Sequence, residues 1–144
     1  MITNGNQISM DSFREKCKSN NLRITPQRTI IYQELLSSKE HPSADVIFKK
    51  VRKTFPEISF DTVNRTVLTF AKIGIINIVE GYGDSKRFDP DINNHHHFRC
   101  IKCGSIIDFH NKPYDNLKVP EEIENQFTVL RKKVYIEGIC TKCK

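Results

Sequence analysis

Apolar residues recur at helical spacing through residues 9–74, the first half of the chain. Three of these runs begin at a residue able to cap a helix, namely Thr25 before Pro26, Ser43 and Ser59. Apolar positions three and four residues apart form one buried face of a helix. The pattern therefore predicts three or four helices, one before Thr25 and one after each cap.

A short hairpin is predicted directly after the last helix. Ile75–Glu80 and Lys86–Asp89 are strand-like runs, and Gly81-Tyr82-Gly83-Asp84 between them is a turn sequence. Helices followed by such a hairpin predict a winged helix-turn-helix domain. An ordinary small α+β core with no role in nucleic-acid binding is compatible with the same pattern.

Two short strands are predicted in the C-terminal half. They lie within Phe98–Phe109, around a Cys-x-x-Cys-Gly turn. Because neighbours in a strand point to opposite faces, His95 and His97 should face together, with His96 facing away. The predicted fold class is α+β, with a small α/β domain after the winged helix.

Two cysteine pairs, Cys100-x-x-Cys103 and Cys140-x-x-Cys143, have the spacing at which both thiolates of a pair reach one ion. Two such pairs complete the tetrahedral all-sulfur shell of a structural Zn²⁺, which leaves no open position for chemistry. Disulfides or free thiols are the alternatives. Because the gap between the pairs is long, the metal must clamp a strand-containing domain. The fifth cysteine, Cys17, fits a small buried side chain on the first helix.

Histidines and carboxylates converge just before the first cysteine pair. Three of the five histidines are consecutive, at His95, His96 and His97, and Asp89 and Asp108 flank them. Imidazole with carboxylate suits Fe²⁺ or Mn²⁺ as well as Zn²⁺, so ligand type alone does not decide the metal. A polar loop with solvated histidines is the alternative.

A positive charge and a polar helix face point toward DNA. The net charge of +6 over 144 residues is a moderate indication of a polyanionic partner. On the helix that Ser59 caps, Asn64 and Arg65 should face outward, and such side chains read adenine and guanine edges. The candidate DNA contacts are Ser59, Thr62, Asn64, Arg65, Thr66 and Arg28. Each is equally compatible with a merely solvated side chain.

The sequence predicts neither export nor membrane insertion. The first residues are polar, and the longest apolar stretches are too short to span a bilayer. We therefore expect a cytoplasmic protein, in which paired cysteines more often bind metal than form disulfides.

Taken together and in order, these motifs resemble the ferric uptake regulator family over nearly the whole chain. Within that family they look most like the peroxide-sensing branch. The residues that carry the resemblance are Leu22–Arg28, His41–Asp45, Ile58–Thr66, Gly83 to Asp89, His95-x-His97 and the two cysteine pairs.

The resemblance implies a homodimeric, metal-dependent repressor that binds a double-stranded DNA operator and is not an enzyme. It implies a DNA-binding domain at residues 1–84, a hinge at 85–94, and a dimerisation and zinc-binding domain at 95–144. It assigns the four paired cysteines to structural zinc. It assigns a regulatory Fe²⁺ or Mn²⁺ to His41, Asp89, His95, His97 and Asp108.

Peroxide sensing is the first choice within the family, and an iron- or zinc-responsive repressor is the alternative. Asp108 resembles the aspartate of the peroxide-sensing branch, where iron sensors commonly carry glutamate. The resemblance implies a last long strand at Val129–Tyr135, and this strand lacks the histidine of a further metal site found in many iron or zinc sensors. Asn64 replaces the family's usual tyrosine, so the family's operator sequence cannot be transferred.

The resemblance also implies how the metal would act. His41 comes from the DNA-binding half, so one ion would join both domains and favour the DNA-binding state. Peroxide would then act by oxidising His41 or His95. His96 faces the other way, so its replacement is expected to leave the site unchanged. No nucleophile and base pair supports a metalloenzyme instead.

Overall fold

The computed structural model describes residues 2–79 and 86–144, with the backbone alone for residues 2–9. The chain divides into unit 1, Met1–Ile92, and unit 2, Asn93–Lys144. Their boundary falls within the range 85–94 that the sequence analysis gives to a hinge. None of the helices in the described residues has the length and apolar character needed to cross a bilayer.

The described part of unit 1 contains the helices α1 (Ile2–Ser19), α2 (Pro26–Ser37), α3 (Ala44–Val51) and α4 (Phe60–Lys72). The predicted caps are confirmed, because the hydroxyl oxygens of Thr25, Ser43 and Ser59 each accept a backbone N–H three residues ahead. Each such bond satisfies a donor that the start of a helix leaves without an intrahelical partner. Helix α1 begins earlier than predicted because its polar first turns carry no apolar periodicity.

Aromatic side chains form the centre of the unit 1 core. Phe13 of α1 stacks on Tyr32 of α2 with ring centroids 4.4 Å apart, and Phe70 of α4 meets Phe13 edge-on at 5.5 Å. Cys17 is fully buried in this core, as predicted. Apolar spacing after Ser43 predicts that Val46 faces inward with Ile47 and Val51, but this is wrong for Val46, which is 41% exposed. Val46 lies roughly 100–140° around α3 from the buried Ile47 and Val51.

The hairpin that follows α4 consists of β1 (Asn77–Val79) and β2 (Arg87–Asp89), which pair antiparallel with Ile78 opposite Phe88. Phe88 is buried in the helical core, so the hairpin packs on the helices and completes the predicted winged helix. The turn predicted at residues 81–84 lies outside the described residues.

Unit 2 is a three-stranded sheet with two short helices, α5 (Lys112–Asp115) and α6 (Glu121–Gln126). The strands are β3 (His96–Cys100), β4 (Ile106–Phe109) and β5 (Tyr135–Gly138), in the order β4-β3-β5. Strand β3 is antiparallel to β4, as predicted, and parallel to β5. The strand predicted at 129–135 is wrong in position, since β5 only begins at Tyr135. Leu130 is 86% exposed, so its apolar character does not reflect packing on the sheet.

Candidate metal centres and nucleic-acid interface

The four paired cysteines meet at one end of the unit 2 sheet. All four sulfur atoms lie within 4.8 Å of one another, and the sulfurs of Cys103 and Cys140 are 3.8 Å apart. A tetrahedral zinc with Zn–S bonds of about 2.3 Å requires sulfurs about 3.8 Å apart, so the residues present fit this ion. Strand pairing explains the convergence, because Cys100 ends β3 beside Gly138 of β5.

The thiols of this group differ in acidity. Backbone N–H groups, first that of Cys103 and then that of Cys140, lower the pKa of Cys100 to about 6. The adjacent side chain of Cys140 is the main cause that raises the pKa of Cys143 to about 12. Four thiolates this close repel one another, and a bound cation that deprotonates its ligands removes that conflict. The donor set is therefore that of a closed structural zinc site.

In unit 1 the predicted ligands His41 and Asp89 form a buried pair. The imidazole Nε2 of His41 lies 3.3 Å from a carboxylate oxygen of Asp89, and each side chain is about 4% exposed. The other carboxylate oxygen of Asp89 accepts the backbone N–H of Asp91 at 2.9 Å. An imidazole and a carboxylate held this way offer two ligand atoms to a divalent ion.

The wing strand β2 holds the loop that carries His41. The Arg87 guanidinium donates hydrogen bonds to the carbonyls of Glu40 and His41, and the Phe88 N–H donates to the Pro42 carbonyl at 3.0 Å. His41 itself has φ of +52°, a left-handed conformation that few non-glycine residues adopt. These bonds stabilise the turn and keep the imidazole beside Asp89.

In unit 2 the predicted ligands His95, His97 and Asp108 converge. The Nε2 atoms of His95 and His97 lie 3.5 and 3.2 Å from the same oxygen of Asp108. Pairing of His97 with Asp108 across β3 and β4 brings them together. The Nδ1–H of His95 donates to the Asn93 carbonyl at 2.6 Å, which places the lone pair of the neutral ring on Nε2.

His96 faces away from these ligands, as strand alternation predicts, but it is not solvated. Its side chain is fully buried, and its Nε2 lies 2.7 Å from a carboxylate oxygen of Asp115. This burial could not be predicted from the sequence, because Asp115 lies in a short helix that no apolar periodicity marks.

Helix α4 carries most of the candidate DNA contacts on an accessible face. Arg65 is 79% exposed and forms an ion pair with Asp61 at 3.0 Å, one turn earlier. Thr62 is exposed and Asn64 is partly exposed, whereas Val63 on the opposite face is buried. The helix therefore presents polar side chains of the kinds that contact base edges and phosphates.

Two further candidate DNA contacts, Thr66 and Arg28, donate to backbone carbonyls within unit 1. Thr66 is only 8% exposed, and its hydroxyl donates to the Thr62 carbonyl at 2.7 Å. The Arg28 guanidinium donates to the Arg23 carbonyl at 2.6 Å. The structure therefore does not bring Thr66 to the surface.

The sequence profile of the ferric uptake regulator family matches residues 19–137. The peroxide-responsive repressor PerR of Staphylococcus epidermidis is 40% identical over 124 residues, which cover 85% of this chain and 82% of that protein. The solved ferric uptake regulator Fur of Helicobacter pylori, described as having three functional metal binding sites, shares the fold. Its TM-score is 0.76 at 22% identity, covering 95% of this chain and 92% of that one.

PerR of Streptococcus pyogenes, whose structure is described as a basis for peroxide sensing and gene regulation, is 28% identical. It has a TM-score of 0.52 and covers 92% of this chain and 91% of that one. These structural neighbours agree with the α+β architecture of a winged helix followed by a metal-binding domain. Family members are transcriptional regulators that bind DNA and form dimers, and they are not enzymes. The chain described here belongs to the ferric uptake regulator family.

Proposed function

We propose that this chain is a homodimeric, metal-dependent repressor that releases its DNA operator when peroxide oxidises one of its metal ligands. The observation that carries the proposal is the meeting of His95 and His97 at one carboxylate oxygen of Asp108. Two histidines and one carboxylate are the ligand set typical of Fe²⁺ sites that react with oxygen species. The relatives named as peroxide-responsive repressors, up to 40% identical, support the same function.

The proposed regulatory site adds the unit 1 pair, His41 and Asp89, to the unit 2 set. Each group is incomplete alone, since unit 1 offers two ligand atoms and unit 2 offers three from His95, His97 and Asp108. The two ligand atoms of unit 1 do not make a site alone, and the three of unit 2 leave open positions on Fe²⁺ or Mn²⁺ that the unit 1 pair would fill. The cysteine group is separate and would hold zinc as a structural ion.

His41 would connect metal binding to the DNA-binding unit. Its loop lies between α2 and α3, and Arg87 and Phe88 of the wing strand hold that loop by hydrogen bonds. A metal shared by both units would restrict their relative motion and shift the population toward one arrangement. The extent of the shift is bounded by how much better that arrangement holds the metal.

Fe²⁺ held there would activate hydrogen peroxide next to the ligand histidines. One ring C–H of His41 or His95 would become C–OH with one peroxide oxygen, and the other peroxide oxygen would leave as water. Peroxide is the two-electron oxidant and the ring is what is oxidised, so the oxidation state of the iron is unchanged overall. An oxidised imidazole is a poor ligand, so the affected histidine would no longer bind the metal. His95 would also lose the tautomer that its bond to Asn93 selects.

The DNA-binding role would fall to helix α4, placed in the major groove. Asn64 and Arg65 would contact base edges, and Ser59, Thr62 and Arg28 would contact phosphates. Thr66 would support the DNA-contacting face of α4 without reaching DNA itself, because its hydroxyl donates to the Thr62 carbonyl. Two copies of α4 in a homodimer would read two half-sites.

Exposed apolar side chains of unit 2 support the homodimer. Large exposed apolar patches on small domains commonly mark interaction surfaces. Those of unit 2 with at least 40% exposure are Ile101, Ile107, Leu117, Ile123, Phe127, Val129, Leu130 and Ile139.

The decisive experiment loads anaerobically purified protein with Fe²⁺ or with Mn²⁺ and treats each form with hydrogen peroxide. Mass spectrometry of peptides and DNA binding are measured on the same samples. We expect one added oxygen on a peptide containing His41 or His95, together with lost DNA binding, in the Fe²⁺ form only. If the Fe²⁺ form keeps both its histidines and its DNA, the protein is an iron- or zinc-responsive repressor without peroxide chemistry.

The variant His41→Ala tests the proposed link between the units. It retains the ligand set of His95, His97 and Asp108, so it should bind Mn²⁺ more weakly yet still detectably. It should lose the dependence of DNA binding on Mn²⁺. A His41→Ala protein that responds to Mn²⁺ like the parent would contradict the shared site.

A further inference from the structure

Both ring nitrogens of His96 are engaged inside unit 2. The Val134 backbone N–H donates to Nδ1 of His96 at 3.0 Å, so Nδ1 carries no hydrogen. The proton of the neutral ring therefore lies on Nε2, which donates to Asp115 at 2.7 Å. His96 has no lone pair left for a metal, although it stands between two proposed ligands.

Val134 contacts β3 through both of its backbone groups. Its N–H meets the His96 ring, and its carbonyl accepts the His97 N–H at 3.2 Å. Val134 directly precedes β5, whose pairing with β3 begins at His97 opposite Tyr135. The His96 side chain therefore fixes the point at which the parallel pairing starts.

The other side of the His96 ring is enclosed by α5 and the end of β4. The ring meets Phe109 and Tyr114 with centroid distances of 5.7 and 5.8 Å. Asp115 also accepts a hydrogen bond from the Asn94 side chain at 3.1 Å, which orients the carboxylate. His96 thus has one defined position, and any rotation of its ring breaks two hydrogen bonds.

We propose that His96 is a positioning residue that, through Asp115 and Val134, orients His95 and His97 for the regulatory metal. The backbone of β3 joins the three histidines, so anchoring the middle ring on one face fixes the directions of its neighbours on the other. The inference rests on the proposed regulatory site in unit 2. It revises the expectation from the sequence that replacing His96 leaves the site unchanged.

Residues that orient metal ligands typically affect metal affinity by roughly 10–100-fold when replaced. His96→Phe keeps a ring among Phe109 and Tyr114 but removes both hydrogen bonds. We expect its Mn²⁺ dissociation constant to rise by roughly 10–100-fold, with one zinc per chain retained. His96→Asn keeps an acceptor near the Val134 N–H, so it should lose less affinity than His96→Phe.

Two further variants separate positioning from general damage. Asp115→Ala removes a 36% exposed side chain and leaves His96 itself in place, so the fold should tolerate it while Mn²⁺ affinity still falls. Glu122→Ala removes an exposed carboxylate from α6 and should leave Mn²⁺ affinity unchanged. Equal Mn²⁺ affinity in the parent, His96→Phe and Asp115→Ala, all with full zinc, would overturn the positioning role.

Nitrogen NMR of the histidine rings, on protein holding zinc alone, gives a readout that needs no regulatory metal. We expect the Nε2–H tautomer for His96 and the Nδ1–H tautomer for His95 in the parent. In His96→Phe, His95 should lose its single tautomer and populate both. If the parent binds no Mn²⁺ or Fe²⁺, the proposed function fails. An unchanged His95 tautomer in His96→Phe instead shows that His96 does not position its neighbour.

Discussion

The buried residues of the two units differ in chemical type. In unit 1, a continuous cluster of buried apolar side chains extends from Met10 to Phe88. Among residues 93–144, all of which the structure describes, the buried side chains are His95, His96, His97, Cys100 and Ile106. Unit 2 therefore buries three histidines and a cysteine where unit 1 buries aliphatic and aromatic residues.

This difference indicates two sources of stability. Burial of apolar surface contributes roughly 25 cal/mol per Å², so the core of unit 1 can stabilise its helices without a ligand. Small domains without a sufficient apolar core usually need a metal, a disulfide or a partner chain to fold. Unit 2, with its cysteine group and exposed apolar side chains, fits that second class.

Removal of the zinc site should have the largest effect and should act on unit 2 alone. Structural zinc contributes on the order of 10 kcal/mol or more to folding in small domains. Cys100→Ser should therefore give protein without zinc in which unit 2 is unfolded while the helices of unit 1 persist. Metal analysis together with amide hydrogen exchange, read separately over residues 10–79 and 93–144, measures this.

Cys17→Ala is the matched control for the zinc prediction. Cys17 is also fully buried, but it lies in the apolar core of α1 and not in the cysteine group. The control should retain one zinc per chain and slow exchange in unit 2. Slow amide exchange throughout unit 2 in zinc-free Cys100→Ser protein would show that zinc is not required to keep this unit folded.

The opposite experiment creates a cavity in unit 1. Phe70 is fully buried against Phe13 and Tyr32, so Phe70→Ala should destabilise unit 1 by roughly 3–5 kcal/mol. Phe60→Ala changes a 45% exposed ring on the same helix and should cost much less. Denaturant unfolding followed by helical circular dichroism measures both variants. Loss of zinc from Phe70→Ala at the same denaturant concentration would mean that the units unfold as one.

The same contrast explains which structural features could be predicted from the sequence. The caps Thr25, Ser43 and Ser59 were predictable because local chemistry decides them within one helical turn. The cysteine group and the facing of His95 and His97 followed from spacing and strand alternation. Apolar periodicity says little about unit 2, where few apolar residues are buried. For this reason the start of β5 and the short helices α5 and α6 were misplaced or missed.

The burial of His96 shows most clearly where the sequence reasoning stopped. Strand alternation correctly predicts that His96 faces away from His95 and His97, but the partners that bury it are distant in the chain. Asp115 and Val134 contact it across separations of 19 and 38 residues. No local pattern reports such contacts, so a buried histidine could not be told from a solvated one.

Loss of a proposed base contact in unit 1 should weaken DNA binding without changing either metal site. Arg65→Ala removes a highly exposed guanidinium from α4 and should weaken specific operator binding by roughly 1–3 kcal/mol if it contacts a base. Zinc content and Mn²⁺ affinity should stay unchanged. Arg14→Ala, which removes an exposed arginine from α1, is the matched control. Equal operator affinity in the parent and Arg65→Ala, measured by fluorescence anisotropy, would remove Arg65 from the interface.

The smallest expected effect separates two roles of Ser59. Its hydroxyl oxygen accepts the Thr62 N–H at 3.1 Å, so Ser59→Ala should destabilise unit 1 by about 1 kcal/mol through loss of the cap. Ser59→Asp keeps a good cap and adds a negative charge at the helix N-terminus, so stability should return to that of the parent. If Ser59 also lies against a DNA phosphate, the added carboxylate must weaken operator binding even though α4 is fully capped. Ser59→Asp protein that matches the parent in both unfolding free energy and operator affinity would leave Ser59 as a cap alone.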